Sequence, residues 1–298
     1  MRLRAFLAVS LLPAAAGAVP AVPGVPSLGP GHAIAAVPPW LVAPDSHPET
    51  VAARDKILRA LELLRASPTG RGLLGLLGRG RVVIDPDGSL LVMDGENAIF
   101  AGTAFVNERP DQVIAVQLAH ELEHLRQISL KVTGEPARGV RELGAVLVQT
   151  RAWVELGGAV RDEDWEGNGS NAWDMTAALA YPFTALTAIG GRNGLGADLS
   201  DAGARDYWRS VLAEERRWRA AWDGRFPRGR DPKDAALKAL RQALTFMDNA
   251  PEGGISDWLP DAIEAAAAAP ADRAPALPGT PSAADRVFLA ILAGSAAP

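Results

Sequence analysis

Two of the chain's four histidines stand four residues apart, in the segment His120-Glu121-Leu122-Glu123-His124. On a helix, residues at that spacing lie on one face, one turn above the other. Two imidazoles so placed can point a nitrogen each at a single metal ion from a rigid support. Glu121, next to the first imidazole, can reach the water that such a metal activates without being a ligand itself. With 4 His among 298 residues, composition alone gives roughly 0.003 occurrences of this pattern, so chance does not explain it.

A catalytic metal site needs three protein ligands and one open position. His32 and His47 lie in or beside a Pro/Ala-rich segment, and no histidine follows the motif. There is no cysteine either, which excludes thiolate ligands and disulfides. The third ligand must then be a carboxylate. Glu142 is the first candidate, 18 residues beyond His124 and near the start of the next helix. A motif helix that ends, turns and returns antiparallel would bring it back. Glu155 near the far end of that helix is a second candidate, and Asp162, Glu163 and Asp164 are others. Zinc is the ion expected for two imidazoles and one carboxylate.

The elements that must position these residues read as follows. Helix signals begin at Pro48, with Ile57, Leu58, Leu61 and Leu64 at helical spacing. Ser67-Pro68 ends that helix, and a short one follows, about Gly70 to Leu77. Arg81–Ile84 and Ser89–Met93 are β-rich runs around Asp85-Pro86-Asp87-Gly88, which reads as a hairpin turn. Ala98–Asn107 is a third strand candidate. The motif helix runs from about Pro110 to Leu130, with Ile114, Leu118, Leu122 and Leu125 as its apolar stripe. The next helix, about Gly139 to Leu156, is closed by Gly157-Gly158. Helices are expected at about 172–189, 201–222 and 232–247. The fold class is α+β, mostly helical: a small sheet, the motif helix, and a helical C-terminal part.

The ends differ from this core. Arg2 and Arg4, the apolar run Ala5–Leu12 and the small residues Ala16-Gly17-Ala18 read as a signal peptide over residues 1–18. That implies an exported protein, periplasmic or secreted, with no membrane span in the mature chain. Residues 19–47 read as a Pro/Ala-rich linker or pro-segment, 48–160 as the catalytic core, 161–259 as a helical subdomain, and 260–298 as an Ala/Pro-rich tail with one short amphipathic segment around Val287–Leu292. The net charge of −5 argues against a nucleic-acid partner. Asp162, Asp164, Glu166 and Gly167 match the opening of a calcium loop, but position 12 is Trp173 rather than Glu, so a solvated loop is expected. Trp208, Trp218 and Trp222 at helical spacing read as core.

The stretch LAHELEHLRQ followed by RELGAVLVQTRAWVEL resembles the zincin metallopeptidases, in particular their glutamate-ligand (gluzincin) branch. It is also similar to uncharacterised bacterial metallopeptidases in which an Arg-Glu-x-x-Ala segment opens the ligand-bearing helix, here Arg141-Glu142-Leu143-Gly144-Ala145. The resemblance covers about residues 57–157. It implies a zinc peptidase acting on a peptide or protein substrate, with His120, His124 and Glu142 as ligands and Glu121 as general base. The gluzincin pattern brings a further His or Tyr to the oxyanion; with no further His, Tyr181 or Tyr207 would take that place. The strand around Ala98–Val106 would lie beside the cleft and pair with an extended peptide. Two other functions fit the same residues: a non-catalytic zincin-like binding domain, and a zinc amidase acting on cell-wall amide bonds.

Overall fold

The computed structural model describes residues 38–44, 46–88, 91–94, 97–134, 137–158, 181–193, 201–222, 232–245, 247, 251, 253–269 and 276–292. The segment read as a signal peptide and the acidic stretch 162–173 lie outside them. The described chain is α+β and mostly helical, as its patterning implies. None of its helices is long and apolar enough to cross a membrane.

Contact clustering divides the chain into two units. Among the described residues, the first draws on Pro20–Lys131 and Val148–Gly158, the second on Val132–Leu147 and Ala159–Pro298. The division falls inside one continuous helix, between Leu147 and Val148.

The first unit carries a four-stranded mixed sheet in the order β1-β2-β4-β3, with β1 Leu41–Val42, β2 Arg81–Asp85, β3 Leu91–Asp94 and β4 Ala98–Gly102. β1 pairs parallel to β2, and β2 parallel to β4, with Val82 opposite Ile99. β3 runs antiparallel to β4, with Val92 opposite Phe100. Four expectations are corrected here. β2 and β3 are not a hairpin, because β4 lies between them; the Asp85–Gly88 turn instead crosses the end of β4, where the Thr103 hydroxyl donates to the Pro86 carbonyl at 2.7 Å. The strand starting at Ala98 stops at Gly102 and gives way to a short helix, α3. It is also an interior strand, so the edge next in line for an extended partner is β3. β1 falls within the segment read as a linker: buried Leu41 and main-chain pairing to β2 order it.

Around the sheet stand α1 (Pro48–Ala66), α2 (Pro68–Leu74), a 3₁₀ turn (Gly75–Gly78), α3 (Thr103–Glu108) and α4 (Asp111–Ser129). Pro48 sits in the first turn of α1, where its missing N–H costs nothing. Ser67 caps α2, its hydroxyl accepting from the Gly70 N–H at 2.7 Å. α4 packs on α1, α2 and β3. Its stripe Ile114, Leu118, Leu122 and Leu125 is buried, and so are Val113, Ala115, Val116 and Ala119. The helix is thus enclosed on most sides rather than amphipathic. Burying each large aliphatic side chain stabilises by roughly 1.5–3 kcal/mol. Polar ties from α1 hold its amino end: Lys56 donates to the carbonyls of Asn107 and Arg109 (2.9 and 2.6 Å), and Arg59 pairs with Asp111 (2.7 Å). Burial pushes the Lys56 ammonium below its ordinary pKa, against the attraction of Asp111.

α5 (Arg138–Glu155) follows. It ends as the sequence suggests: Gly157 takes φ of +80°, and the N–H groups of Gly157 and Gly158 return to the carbonyls of Val154 and Trp153.

In the second unit, the described helices are the amino part of α5, then α6 (Pro182–Asn193), α7 (Ala202–Trp222), α8 (Pro232–Thr245), α9 (Leu259–Ala268) and α10 (Ala283–Leu292). Pro182 stands in the first turn of α6, where its missing N–H costs nothing. Val140, Leu143 and Leu147 of α5 join Phe183, Trp208, Leu240, Ile263 and Phe288 in one buried cluster. Trp208 meets Phe183 edge to face at 5.1 Å, and Trp218 is also buried, so both belong to the core. The expected C-terminal tail is a further correction. Residues 259–268 and 283–292 are helices whose Leu259, Ile263, Phe288 and Ile291 complete this core; their Ala-rich composition suits helix as well as tail.

A capping box locks the last helix. The Ser282 hydroxyl accepts from the Asp285 N–H (3.0 Å), and Asp285 accepts from the Ser282 N–H (2.9 Å). The Ser256 N–H and hydroxyl also donate to the Asp285 carboxylate, at 2.9 and 2.5 Å. Burial opposes ionisation of Asp285, but the hydrogen bonds from Ser256 and Ser282 outweigh it and hold the carboxyl below its ordinary pKa. A depressed folded pKa contributes stability above the unfolded value, about 3.9, and loses it as pH falls through the folded value. The melting temperature of Asp285→Asn should therefore fall less than that of the native chain between pH 5 and pH 2.5. Parallel acid limbs for the two proteins would refute this.

Candidate metal centre

α4 and α5 bring His120, His124 and Glu142 together, with one potential ligand atom from each within 4.8 Å of the other two. His120 and Glu142 are half-buried and His124 is buried. The two imidazoles meet edge to face, and their Nε2 atoms are 3.2 Å apart.

The other ring nitrogens decide what that short distance means. His120 Nδ1 lies 3.1 Å from Gln149 Oε1, and His124 Nδ1 lies 2.8 Å from Gln127 Oε1. An amide oxygen can only accept, so each Nδ1 carries the proton. In the neutral rings both Nε2 atoms then present lone pairs to each other. Two lone pairs at 3.2 Å repel unless a cation lies between them. Nitrogens held 2.0–2.1 Å from an ion at a tetrahedral angle stand about 3.3 Å apart, which matches the observed edge. The Glu142 oxygen, with three side-chain torsions behind it, has only a short way to close. Two imidazole nitrogens and one carboxylate oxygen thus form a group that could hold a metal ion.

Other acidic residues have different tasks. Glu155 caps α2, accepting from the Thr69 N–H (2.8 Å) and hydroxyl (2.7 Å). It lies 13 residues beyond Glu142, roughly 20 Å along α5, so of these two candidates Glu142 alone joins the histidines. Asp162, Glu163 and Asp164 lie outside the described residues. Within the motif, Glu123 is fully buried and holds Arg126 by two contacts, 2.7 and 2.9 Å. Glu121 is also buried; as the neighbour of His120, it leaves the helix about 100° from the first ligand, at the flank of the ligand face.

Both tyrosines belong to the second unit. The Tyr207 hydroxyl lies directly where a Cβ on Gly144 would be. Positions 142 and 144 leave a helix about 200° apart, so Tyr207 occupies the far side of α5 from the Glu142 side chain and packs in the core. Tyr181 precedes α6, in electrostatic reach of Lys233. Two residues escaped the sequence reading: Gln127 and Gln149. Their signal was spacing, since Gln127 stands three residues from His124 and Gln149 seven from Glu142, two turns along one stripe.

Compared with known proteins, the chain matches no family model, no curated protein and no solved structure.

Three variants test the ligand assignment. Elemental analysis of the purified native chain should find one divalent metal ion per molecule. A His120→Ala/His124→Ala double variant should have none, and Glu142→Ala should lose most of it. Glu155→Ala should keep the metal while melting earlier, because removing a helix cap costs roughly 0.5–2 kcal/mol. Metal lost with Glu155 and kept without Glu142 would reverse the assignment.

Proposed function

We propose that this chain is a zinc-dependent metallopeptidase, exported from the cell, that hydrolyses amide bonds in peptide or protein substrates. The observation that carries the reading is the pair of Nε2 atoms at 3.2 Å, each imidazole tethered through Nδ1 to an amide oxygen, with a carboxylate alongside. Two nitrogens and one oxygen suit zinc, and three protein ligands leave one position open for chemistry. Bound zinc supplies Lewis acidity, which makes water a nucleophile at neutral pH and polarises an amide carbonyl.

The chain's own residues do the rest. Glu121 accepts the proton of the attacking water on its carboxylate and delivers it to the departing amine nitrogen. Its burial beside His120 puts it at the flank of the ligand face, where it can reach a water held there. A purely structural site has no need of a base at that position. The exposed main chain of an edge strand can align an extended peptide by strand addition, and β3 holds that place in the sheet. The resemblance of the HExxH segment and of Arg141-Glu142-Leu143-Gly144-Ala145 to the gluzincins supports the same reading, as does the leader-like pattern of residues 1–18.

Glu121→Gln separates this function from a non-catalytic zinc-binding role. The amide is nearly isosteric but cannot take a proton. The variant should keep its fold and metal and lose roughly 10²- to 10⁴-fold in the rate of cleaving a mixed peptide library, followed by mass spectrometry. Equal cleavage by the native and variant proteins would remove Glu121 from the mechanism. A metal-loaded native chain that cleaves nothing would favour the binding role.

A further inference from the structure

We infer that Gln127 and Gln149 are the positioning residues of the metal centre: each fixes one histidine ligand, and metal affinity depends on both. The inference rests on the metal-site reading above and goes beyond it. An imidazole on a helix has two freedoms that matter to a metal, the rotation of its ring and the nitrogen that carries the proton. Unless both are set, the ring presents an N–H to the ion for part of the time and binding falls. An acceptor on Nδ1 settles both at once, leaving Nε2 with its lone pair aimed inward.

The two glutamines do this from different elements. Gln127 is fully buried on α4, three residues beyond His124, and reaches its Nδ1 at 2.8 Å. Gln149 is buried on α5 and reaches His120 Nδ1 at 3.1 Å. Since Gln149 and Glu142 share one stripe of α5, a single rigid helix carries both a ligand and the group that orients another ligand. A side chain buried only for packing at either position would be better served by Leu or Met, because burying an amide without a partner costs roughly 1–3 kcal/mol. Both amides instead turn their oxygens to a ring nitrogen. Both are also neutral, so Glu142 supplies the only ligand charge in the group.

The test is zinc affinity by competition with a chromophoric chelator, with circular dichroism and thermal melting of the metal-free proteins alongside. Gln127→Leu and Gln149→Leu keep the volume and remove the acceptor. Each should weaken zinc binding 10- to 100-fold without changing the helical spectrum. Gln127→Glu and Gln149→Glu restore an acceptor oxygen and should bind at least as tightly as the native chain. Should a Leu variant fail to fold, its Glu counterpart carries the test. Native affinity in the Leu variants, or an equal loss in the Leu and Glu variants, would overturn the positioning role while leaving the zinc site intact. A native chain that takes up no zinc would overturn the site itself, and this inference with it.

Discussion

The arrangement depends on two imidazoles whose inner nitrogens are pressed to 3.2 Å. Left alone, rings in that position would turn apart or share a proton. Here neither can turn freely, because the outer nitrogen of each is tied to an amide oxygen. With both rings neutral, two lone pairs face one another, and a cation between them would relieve their repulsion. Such preorganisation places the cost in folding, where the packing of α4 against α1, α2 and β3 can offset it. Binding then starts from a nearly finished geometry.

α5 is the second constraint. Its faces have separate duties. The stripe of Glu142 and Gln149 serves the histidines. Val140, Leu143 and Leu147 enter the core of the second unit, and Gly144 admits the Tyr207 ring edge to its backbone. At its carboxyl end Glu155 caps α2. The register of this helix matters to the site, since a slide of one residue would turn Glu142 by about 100°. Gly144 therefore serves the site indirectly: any larger side chain there would have to displace a buried aromatic ring.

Charge is distributed with similar economy. Glu123 is buried within the motif but is paired with Arg126 by two contacts, which offsets the cost of desolvating it. Lys56 and Arg59 bind the amino end of α4 through carbonyls and Asp111. The carboxylates around the motif are in this way divided between a group that could hold a metal ion and structural ties, and their sequence neighbours do not reveal which is which.

What the sequence determined by itself was whatever depends on local periodicity. The i, i+4 histidines, the adjacent Glu121, the carboxylate at the head of the next helix and the glycine stop at 157–158 all follow from the pitch of one helix and the chemistry of its ends. The helix spans were legible for the same reason, since apolar spacing and Pro or Gly punctuation act within a few residues. Tertiary structure decided what depends on partners distant in the chain. The Asp85–Gly88 turn looks the same whether its strands pair or are parted by a third, and only the sheet order placed β4 between them. The Ala-rich C-terminal stretch reads as tail until Phe288 and Ile291 have a core to enter. Tyr207 looked like an oxyanion donor until the rotation of α5 put it behind Gly144. Gln149, 29 residues from His120, became part of the site only when the two were brought together, because its spacing from Glu142 marks a shared stripe of one helix but not the distant partner that stripe will meet.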